Sequence, residues 1–478
     1  MKSPEIDSGK EYPFHIFHKN GSRIGYFKNK NMFCELSRSA YNLLKVNTFN
    51  NNQSNLKNSK VFQECNDEKR TLEKLGFFDK KNSEVPIGNI NKKAYFKTNG
   101  TGGIVLDVAQ TCNLNCSYCY GGGGNYGSNV PLMDYETANA AINFLMKQGN
   151  GAKRFQIVFF GGEPLLNFPT IKYIVNLCND LERNRKISFI YSITTNGTIL
   201  NEEIIYFLII NKFRVMVSYD GEKNIHDKYR RFKNGATSYD LVADNIKLLS
   251  GRIPIQARGT IVNETINYRV LKNIMKNVEK LRIKKLLLSP ADCSKIDANI
   301  FNLNPKNIKK LDNIFDKITE RNLLKLRKGD RQLIPFDPYA AIIRNILSSK
   351  KNKSRKCGAF SGMSTIDTKG DIYPCHRFVG LKSYVIGNVC HGLDENKKSG
   401  FIADISKALS ATCPNCWLEF LCGGQCYYYL ATKQGTFESP KKEICESIRR
   451  RYETALYFIV KYRDLIVEKP YIYMKLCQ

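Results

Sequence analysis

The chain has 478 residues, 16 of them cysteine, and 74 basic side chains against 44 acidic ones give it a net charge of +30. That length exceeds one ordinary hydrophobic core and implies two to four domains. The longest apolar runs, at 206–210 and 455–460, fall far short of the roughly 20 residues that span a bilayer. No apolar segment opens the chain, so the many thiols imply a reducing cytoplasm, and metal or redox chemistry rather than a disulfide framework.

Residues 1–95 begin with strand-like runs at Tyr12 to His18 and Ile24 to Phe27, followed by a helical pattern from Leu36 to Val46. An Asn-rich break from Asn47 to Ser59 separates this from a second helical run, Val61 to Leu75, which ends at Gly76.

From about 100 to 295, apolar strand runs alternate with amphipathic helical stretches, the pattern of β/α units on a parallel sheet. Six strands are expected, at Ile104 to Ala109, Phe155 to Phe160, Ile187 to Thr194, Phe213 to Ser218, Ile255 to Val262 and Lys285 to Ser289. Helical spacing lies between them in Tyr135 to Met146, Ile171 to Glu182, Glu203 to Ile210, Tyr239 to Leu249 and Val270 to Leu281. Residues 296–350 read as a basic helical bridge ending in an exposed linker from Ser348 to Lys356, 351–450 as a cysteine-rich domain, and 451–478 as a C-terminal helix and tail.

In β/α folds the working residues stand at the C-terminal ends of strands, and the unusual residues of this chain fall there. The first strand runs into Cys112, Cys116 and Cys119 in a C-x3-C-x2-C array. Three thiolates in one loop can hold three irons of a cubane and leave the fourth iron open to an external ligand. Strand two ends in Gly161-Gly-Glu-Pro164, where paired glycines let backbone approach a ligand and Glu163 can meet an ammonium group. Strand three ends in Thr194-Thr-Asn-Gly197. Strand four ends in Ser218-Tyr-Asp-Gly221, with His226, Asp227 and Arg230 after it, and strand five carries Arg258. These hydroxyl and guanidinium groups suit a ribose and a carboxylate, while His226 reads as a capping or packing residue. Gly121 to Gly124 follow the cysteine loop as a flexible stretch or as backbone that lies against a ligand.

A second cysteine region begins with Cys357, Gly370 and Cys375 at C-x12-G-x4-C spacing. It continues with Cys413, Cys416, Cys422 and Cys426 at C-x2-C-x5-C-x3-C spacing, and then Cys445. On spacing alone, C-x2-C with C-x3-C fits a four-thiolate zinc site. The remaining cysteines, Cys34, Cys65, Cys178, Cys293, Cys390 and Cys477, read as small apolar residues.

The C-x3-C-x2-C loop, with Tyr118 before its third cysteine, resembles the signature of the radical S-adenosylmethionine (radical SAM) superfamily, and the Gly161 to Pro164 segment resembles that family's GGEP motif. The second cysteine region resembles the SPASM extension of radical SAM enzymes that modify peptides and proteins. The resemblance implies an α/β fold with a partial (β/α)6 barrel and three [4Fe-4S] clusters. It places S-adenosylmethionine against Gly161, Gly162, Glu163, Pro164, Ser218, Arg230 and Arg258. Cys112, Cys116 and Cys119 would hold the reactive cluster. Cys357, Cys375 and Cys426 would hold a first auxiliary cluster, and Cys413, Cys416, Cys422 and Cys445 a second. With three motif ligands, the first auxiliary cluster has an iron open to a substrate cysteine unless Cys390 or Cys293 closes it. Residues 1–95 resemble the PqqD-related winged-helix module, which would bind a leader peptide by strand addition.

Within that family, the stretch Ile372-Tyr-Pro-Cys-His-Arg-Phe-Val-Gly380 resembles maturases that install thioether crosslinks in ranthipeptides, sactipeptides and a quinohemoprotein subunit. His376 stands where anaerobic sulfatase-maturing enzymes usually carry an aspartate base. The implied activity is thioether formation in a ribosomally made precursor peptide through a 5'-deoxyadenosyl radical, with a flavodoxin- or ferredoxin-type electron donor. Other SPASM reactions, a carbon-carbon crosslink or formylglycine formation, remain open, as does a zinc-dependent nucleic-acid binder built on the positive charge. The lysines are scattered rather than gathered into one arm, so neither nucleic acid nor membrane is an expected partner.

Overall fold

The computed structural model describes residues 14–28, 32–49, 101–149, 151–291, 304–348, 357, 359, 363–410, 412–468, 473, 476 and 477. The expected helix at 61–75, the linker at 349–356, Cys65 and Cys293 lie outside these residues.

The alternating apolar runs form strands where one face must meet a helix. Strands β1 (Phe14–Lys19), β2 (Ser22–Phe27) and β3 (Met32–Glu35) make an antiparallel sheet in that order. Its first turn is Asn20-Gly21, both with positive φ, as a two-residue hairpin turn requires. Helix α1 (Arg38–Phe49) covers one face through Phe14, Phe27, Leu36, Ala40 and Leu44. The other face, through Phe17, Ile24 and Tyr26, belongs to the main core. Helix α1 therefore continues three residues into the Asn-rich break, and β3 is a strand that the sequence reading did not contain.

The β/α units follow: β4 (Thr101–Ala109), α2 (Tyr135–Gln148), β5 (Arg154–Gly161), α3 (Phe168–Asn184), β6 (Ser188–Thr195) and α4 (Glu202–Ile210). After them come β7 (Arg214–Ser218), α5 (Lys223–Tyr229), α6 (Tyr239–Ser250), β8 (Ile255–Ile261), α7 (Tyr268–Lys280) and β9 (Lys285–Pro290). All six expected strands and five expected helices are present, with ends displaced by at most a few residues. Asp134, Asn201 and Asn267 cap α2, α4 and α7 by accepting backbone N–H groups, which starts each helix at a defined residue. Ile104, Leu106 and Val108 of β4 sit in the same core as Ile142 and Leu145 of α2.

Beyond the helices α8 (Pro305–Arg327) and α9 (Ala340–Ser348), the cysteine-rich region supplies β10 (Met363–Ile366), β11 (Asp371–Tyr373), β12 (Gly387–Asn388) and β13 (Gly392–Leu393). These extend the barrel sheet instead of founding a separate one. The ten strands run β13-β12-β11-β10-β4-β5-β6-β7-β8-β9, and β10 pairs in parallel with β4, Thr365 opposite Val105. Helices α10 (Glu395–Ser410), α11 (Glu419–Cys422), α12 (Tyr427–Leu430), α13 (Lys442–Lys461) and α14 (Arg463–Ile466) complete the chain. Helix α13 begins before the expected tail and carries Cys445 on its first turn.

The N-terminal sheet packs on α13 and on the Cys413 to Cys422 loop. His15 stacks on Trp417 with centroids 4.1 Å apart and reaches Glu453 at 2.8 Å, and Lys19 reaches Asp316 at 2.9 Å. Lys28 Nζ lies 2.6 Å from a Glu419 carboxylate oxygen, both side chains largely buried. Among the described residues no helix is long and apolar enough to cross a membrane.

Candidate active site at the strand ends

The loop after β4 is clamped from two sides by backbone. Gly162 N–H donates to Ala109 O at 2.7 Å and Glu163 N–H to Thr111 O at 2.8 Å. Opposite them, Asn115 N–H donates to Arg231 O and Ser117 N–H to Tyr229 O. The paired glycines make the first contact possible. Gly161 has φ +133°, and a Cβ there would sit 2.2 Å from Ala109 O. At Gly162 a Cβ would meet Thr111 O at 2.2 Å and Gly124 O at 2.7 Å. Absence of side chains at 124, 161 and 162 thus seats one loop on the other.

Between these clamps lies an open cavity whose empty space, bordering solvent included, is about 1060 Å³. Cys112, Cys116, Cys119, Gly161, Gly162, Ser218, Arg230 and Arg258 all line it, together with Gly123, Gly124, Thr260, Ser289, His376 and Arg377. The strand-end residues that the resemblance sets against S-adenosylmethionine are therefore brought to one place, apart from Glu163 and Pro164. Glu163 is fully buried behind the wall. One carboxylate oxygen accepts from Leu165 N–H (3.1 Å) and Thr195 Oγ1 (2.8 Å), the other from Asn196 N–H (2.6 Å). Burial pushes its carboxyl up to about 7 against the pull of those donors. Pro164 begins the one-turn helix that follows.

Burial also pushes the Cys112 thiol up to about 11, with Glu163 and Cys119 adding to the rise, and the Cys116 thiol to about 12, with Cys119 and Cys112 adding to it against the pull of Arg230. Protein alone would keep these sulfurs protonated, and a metal is what stabilises thiolates in such a place. Cys112 Sγ already receives Leu114 N–H at 3.4 Å and Asn196 Nδ2 at 3.6 Å. Arg230 stacks 5.2 Å over Tyr118, and its Nε donates to Asp220 Oδ2 at 3.0 Å, where the Tyr118 hydroxyl also donates. Asp220 Oδ1 accepts Thr260 N–H at 2.8 Å, tying β7 to β8. His226 is buried between Asp220 N–H and Ser238 Oγ, and burial lowers its pKa to about 4, a packing role as expected.

The later cysteines form two further groups. Cys375 is pushed up to about 12 by burial and further by Cys426 and Cys357, so both of those thiols lie within electrostatic reach of it. Cys413, Cys416, Cys422 and Cys445 line a separate cavity of about 430 Å³, with Gln425 donating to Cys445 Sγ at 3.1 Å. Arg449 also lines this cavity, and the sulfurs of Cys416 and Cys445 raise its pKa against the lowering effect of burial. Among the described residues no three Cys, His, Asp or Glu side chains close on a single-ion site. Cys178 and Cys477 are buried as small apolar residues, but Cys390 is exposed on the β12–β13 hairpin, where the chain turns into solvent.

Asp220, Asn196 and Arg377 are site residues that the sequence reading did not single out. The first two stand inside the quoted strand-end motifs, and Arg377 is marked only by its place two residues after Cys375.

The radical SAM superfamily model matches residues 106–278. An uncharacterized protein of Methanocaldococcus jannaschii is 32% identical over 296 residues, 62% of this chain and 90% of that protein. The chain belongs to the radical SAM superfamily. It is 27% identical over 365 residues, 73% of its length, to 94% of a cysteine-type anaerobic sulfatase-maturating enzyme of Clostridium novyi. The solved structure of native anSMEcpe with bound AdoMet and Cp18Cys peptide shares the fold. Its TM-score is 0.60 at 22% identity, and the match covers 76% of this chain and 99% of that one. As a radical SAM protein the chain is an enzyme that uses S-adenosylmethionine and a [4Fe-4S] cluster. The residues present fit both, since three thiols share one cavity with hydroxyl and guanidinium groups that suit a ribose and a carboxylate.

Proposed function

We propose that this enzyme is a peptide maturase of the SPASM type that joins a cysteine sulfur to a carbon of another residue in a precursor peptide. The observation that carries the reading is that His376 and Arg377, directly after Cys375, line the same cavity as Cys112, Cys116 and Cys119. A substrate in that cavity would lie between the two thiol groups.

When bound, the cluster on Cys112, Cys116 and Cys119 supplies the electron that splits S-adenosylmethionine into methionine and a 5'-deoxyadenosyl radical. The chain's own residues position and shield. Ser218 and Arg230 stand where ribose and methionyl carboxylate would be met, and Tyr118 with Asp220 holds Arg230 in place. Glu163 fixes the Thr195–Asn196 turn, which in turn reaches Cys112. His376, whose pKa burial and then Arg258 lower to about 4, is neutral and packs on Phe160 at 5.0 Å. Each crosslink removes one hydrogen atom from the acceptor carbon, one proton from the thiol and one electron, which an auxiliary cluster would accept. Two such clusters would rest on Cys357, Cys375 and Cys426, and on Cys413, Cys416, Cys422 and Cys445. The exposed position of Cys390 supports a first auxiliary site that Cys357, Cys375 and Cys426 alone would hold, where a substrate thiol would bind. The β3 edge of the N-terminal sheet would take the leader peptide as an added strand.

A second reading, formylglycine formation, is favoured by the Clostridium novyi relative. Anaerobic reconstitution with S-adenosylmethionine, reductant and a cysteine-containing peptide separates the two. Thioether formation removes two hydrogens per crosslink and leaves the sulfur in the product, whereas formylglycine replaces the cysteine sulfur by oxygen. Cys116→Ala is expected to abolish 5'-deoxyadenosine. Its continued formation by that variant would overturn the assignment of the reactive cluster.

A further inference from the structure

Among the described residues three arginines line the main cavity, and no aspartate or glutamate does. A guanidinium taken out of water is costly unless it is paired. For Arg230 the chain supplies a partner from behind the wall, Asp220 at 3.0 Å. Arg258 is treated differently. It stands on the inner row of β8, where Gln256, Arg258 and Thr260 are part-exposed between buried neighbours. Its side chain makes no hydrogen bond or ion pair with any described residue. Its pKa is lowered by burial and then by the positive charge of Arg377.

Arg377 sits among the rings of Tyr120, Tyr428 and Tyr429, its guanidinium carbon 5.9, 5.7 and 5.3 Å from their centroids. Tyr120 follows Cys119 directly, and Tyr428 and Tyr429 follow Cys426. Arg377 therefore lies between the first cysteine loop and Cys426, in the cavity that Arg258 also lines, whereas the charge of Arg230 acts on Cys116. Arg377 hydrogen-bonds the Tyr429 hydroxyl, whereas Arg258, with no such bond, shares its half-dry cavity; two like charges in one such cavity favour an anion between them, and a planar carboxylate matches the guanidinium fork.

We propose that Arg258 and Arg377 bind a carboxylate of the substrate, so that the residue presented to the cavity is an aspartate, a glutamate or a C-terminal residue. This rests on the reading of the protein as a peptide-modifying enzyme. Arg258 is then a substrate-binding residue, distinct from the Ser218 and Arg230 side where the cofactor's own carboxylate is expected.

The test uses the reconstituted, oxidised protein with S-adenosylmethionine and two small probes, N-acetyl-aspartic acid amide and N-acetyl-asparagine amide. Saturation-transfer NMR titrations give their relative affinities. The acid is expected to bind about tenfold more tightly than the amide, as for one charge-assisted pair. Arg258→Gln should erase that preference, Arg258→Lys should retain part of it, and both should bind S-adenosylmethionine within about twofold of wild type. Equal binding of acid and amide by the wild type would overturn the proposal without recourse to any variant. A surviving preference in Arg258→Gln, with S-adenosylmethionine affinity reduced about tenfold, would overturn it too and assign Arg258 to the cofactor's carboxylate. Because the readout is binding, a failure of crosslinking chemistry leaves this result separable from the maturase reading.

Discussion

Asp220 and Arg230 form a buried ion pair, Nε to Oδ2 at 3.0 Å, whose other carboxylate oxygen holds Thr260 N–H of the neighbouring strand. Both groups are out of water, so removing one strands the other. Asp220→Asn is expected to cost about 3–5 kcal/mol, read as a lower urea midpoint with an unchanged slope. Adding Arg230→Met should restore part of the loss. A single variant within about 1 kcal/mol of wild type would contradict the pairing.

The Glu163 carboxyl, raised to about 7 from an ordinary 4.5 chiefly by burial, gives a pH signature. A carboxyl that holds its proton more tightly when folded contributes stability below about 4.5, and that contribution fades as pH rises through about 7. Over that window its share falls by about 3 kcal/mol. Glu163→Gln should flatten the pH dependence of unfolding there. Parallel profiles for the two proteins would mean that the three donors around Glu163 satisfy its charge.

Gly162→Ala sets a Cβ against Thr111 O and Gly124 O, with no flexible side chain to give way. The cysteine loop must move off the β5 turn, at about 1–3 kcal/mol. Iron bound per chain after reconstitution is the sensitive measure, and a loss of more than half is expected. Gly251→Ala, where a Cβ meets nothing within 4 Å and φ is −73°, is the control for the loss of a glycine alone.

At the other end of the molecule, Lys28 and Glu419 join the N-terminal sheet to the Cys413 to Cys422 loop. Lys28→Met should cost about 3 kcal/mol by leaving a largely buried glutamate alone. Limited proteolysis is expected to release the first three strands faster than in wild type. Unchanged cleavage would show that His15, Trp417 and Lys19 hold the sheet by themselves.

The barrel was legible because each of its strands and helices carries its own period, as in Ile104 to Ala109 or Tyr239 to Leu249. Short elements with no period of their own were not. Met32–Glu35 is four residues long, and the charged Lys223–Tyr229 helix has too few turns to show a face. The joining of β10 to β4 depends on backbone pairing between distant segments, which no local pattern records. The candidate site divides in the same way. Cysteines, glycines, Ser218, Arg230 and Arg258 announce themselves by type and by their place at strand ends. Asp220, Asn196 and Arg377 owe their roles to neighbours that only the folded chain supplies, and Cys390 is small and apolar by type yet faces solvent.

The parallel pairing of β4 with β10 also bears on how the chain is made. During synthesis β4 emerges early, while its partner at 363–366 follows only after the whole β/α series and two further helices. Until then β4 presents an unpaired edge, a ready template for another chain. Pairing so distant in sequence is slow to form, so the nascent protein depends on the barrel holding that edge in register while its last neighbour is still on the ribosome. A chain terminated near Ser348 would keep the complete first cysteine loop and still be expected to aggregate, through an edge that the finished enzyme never exposes.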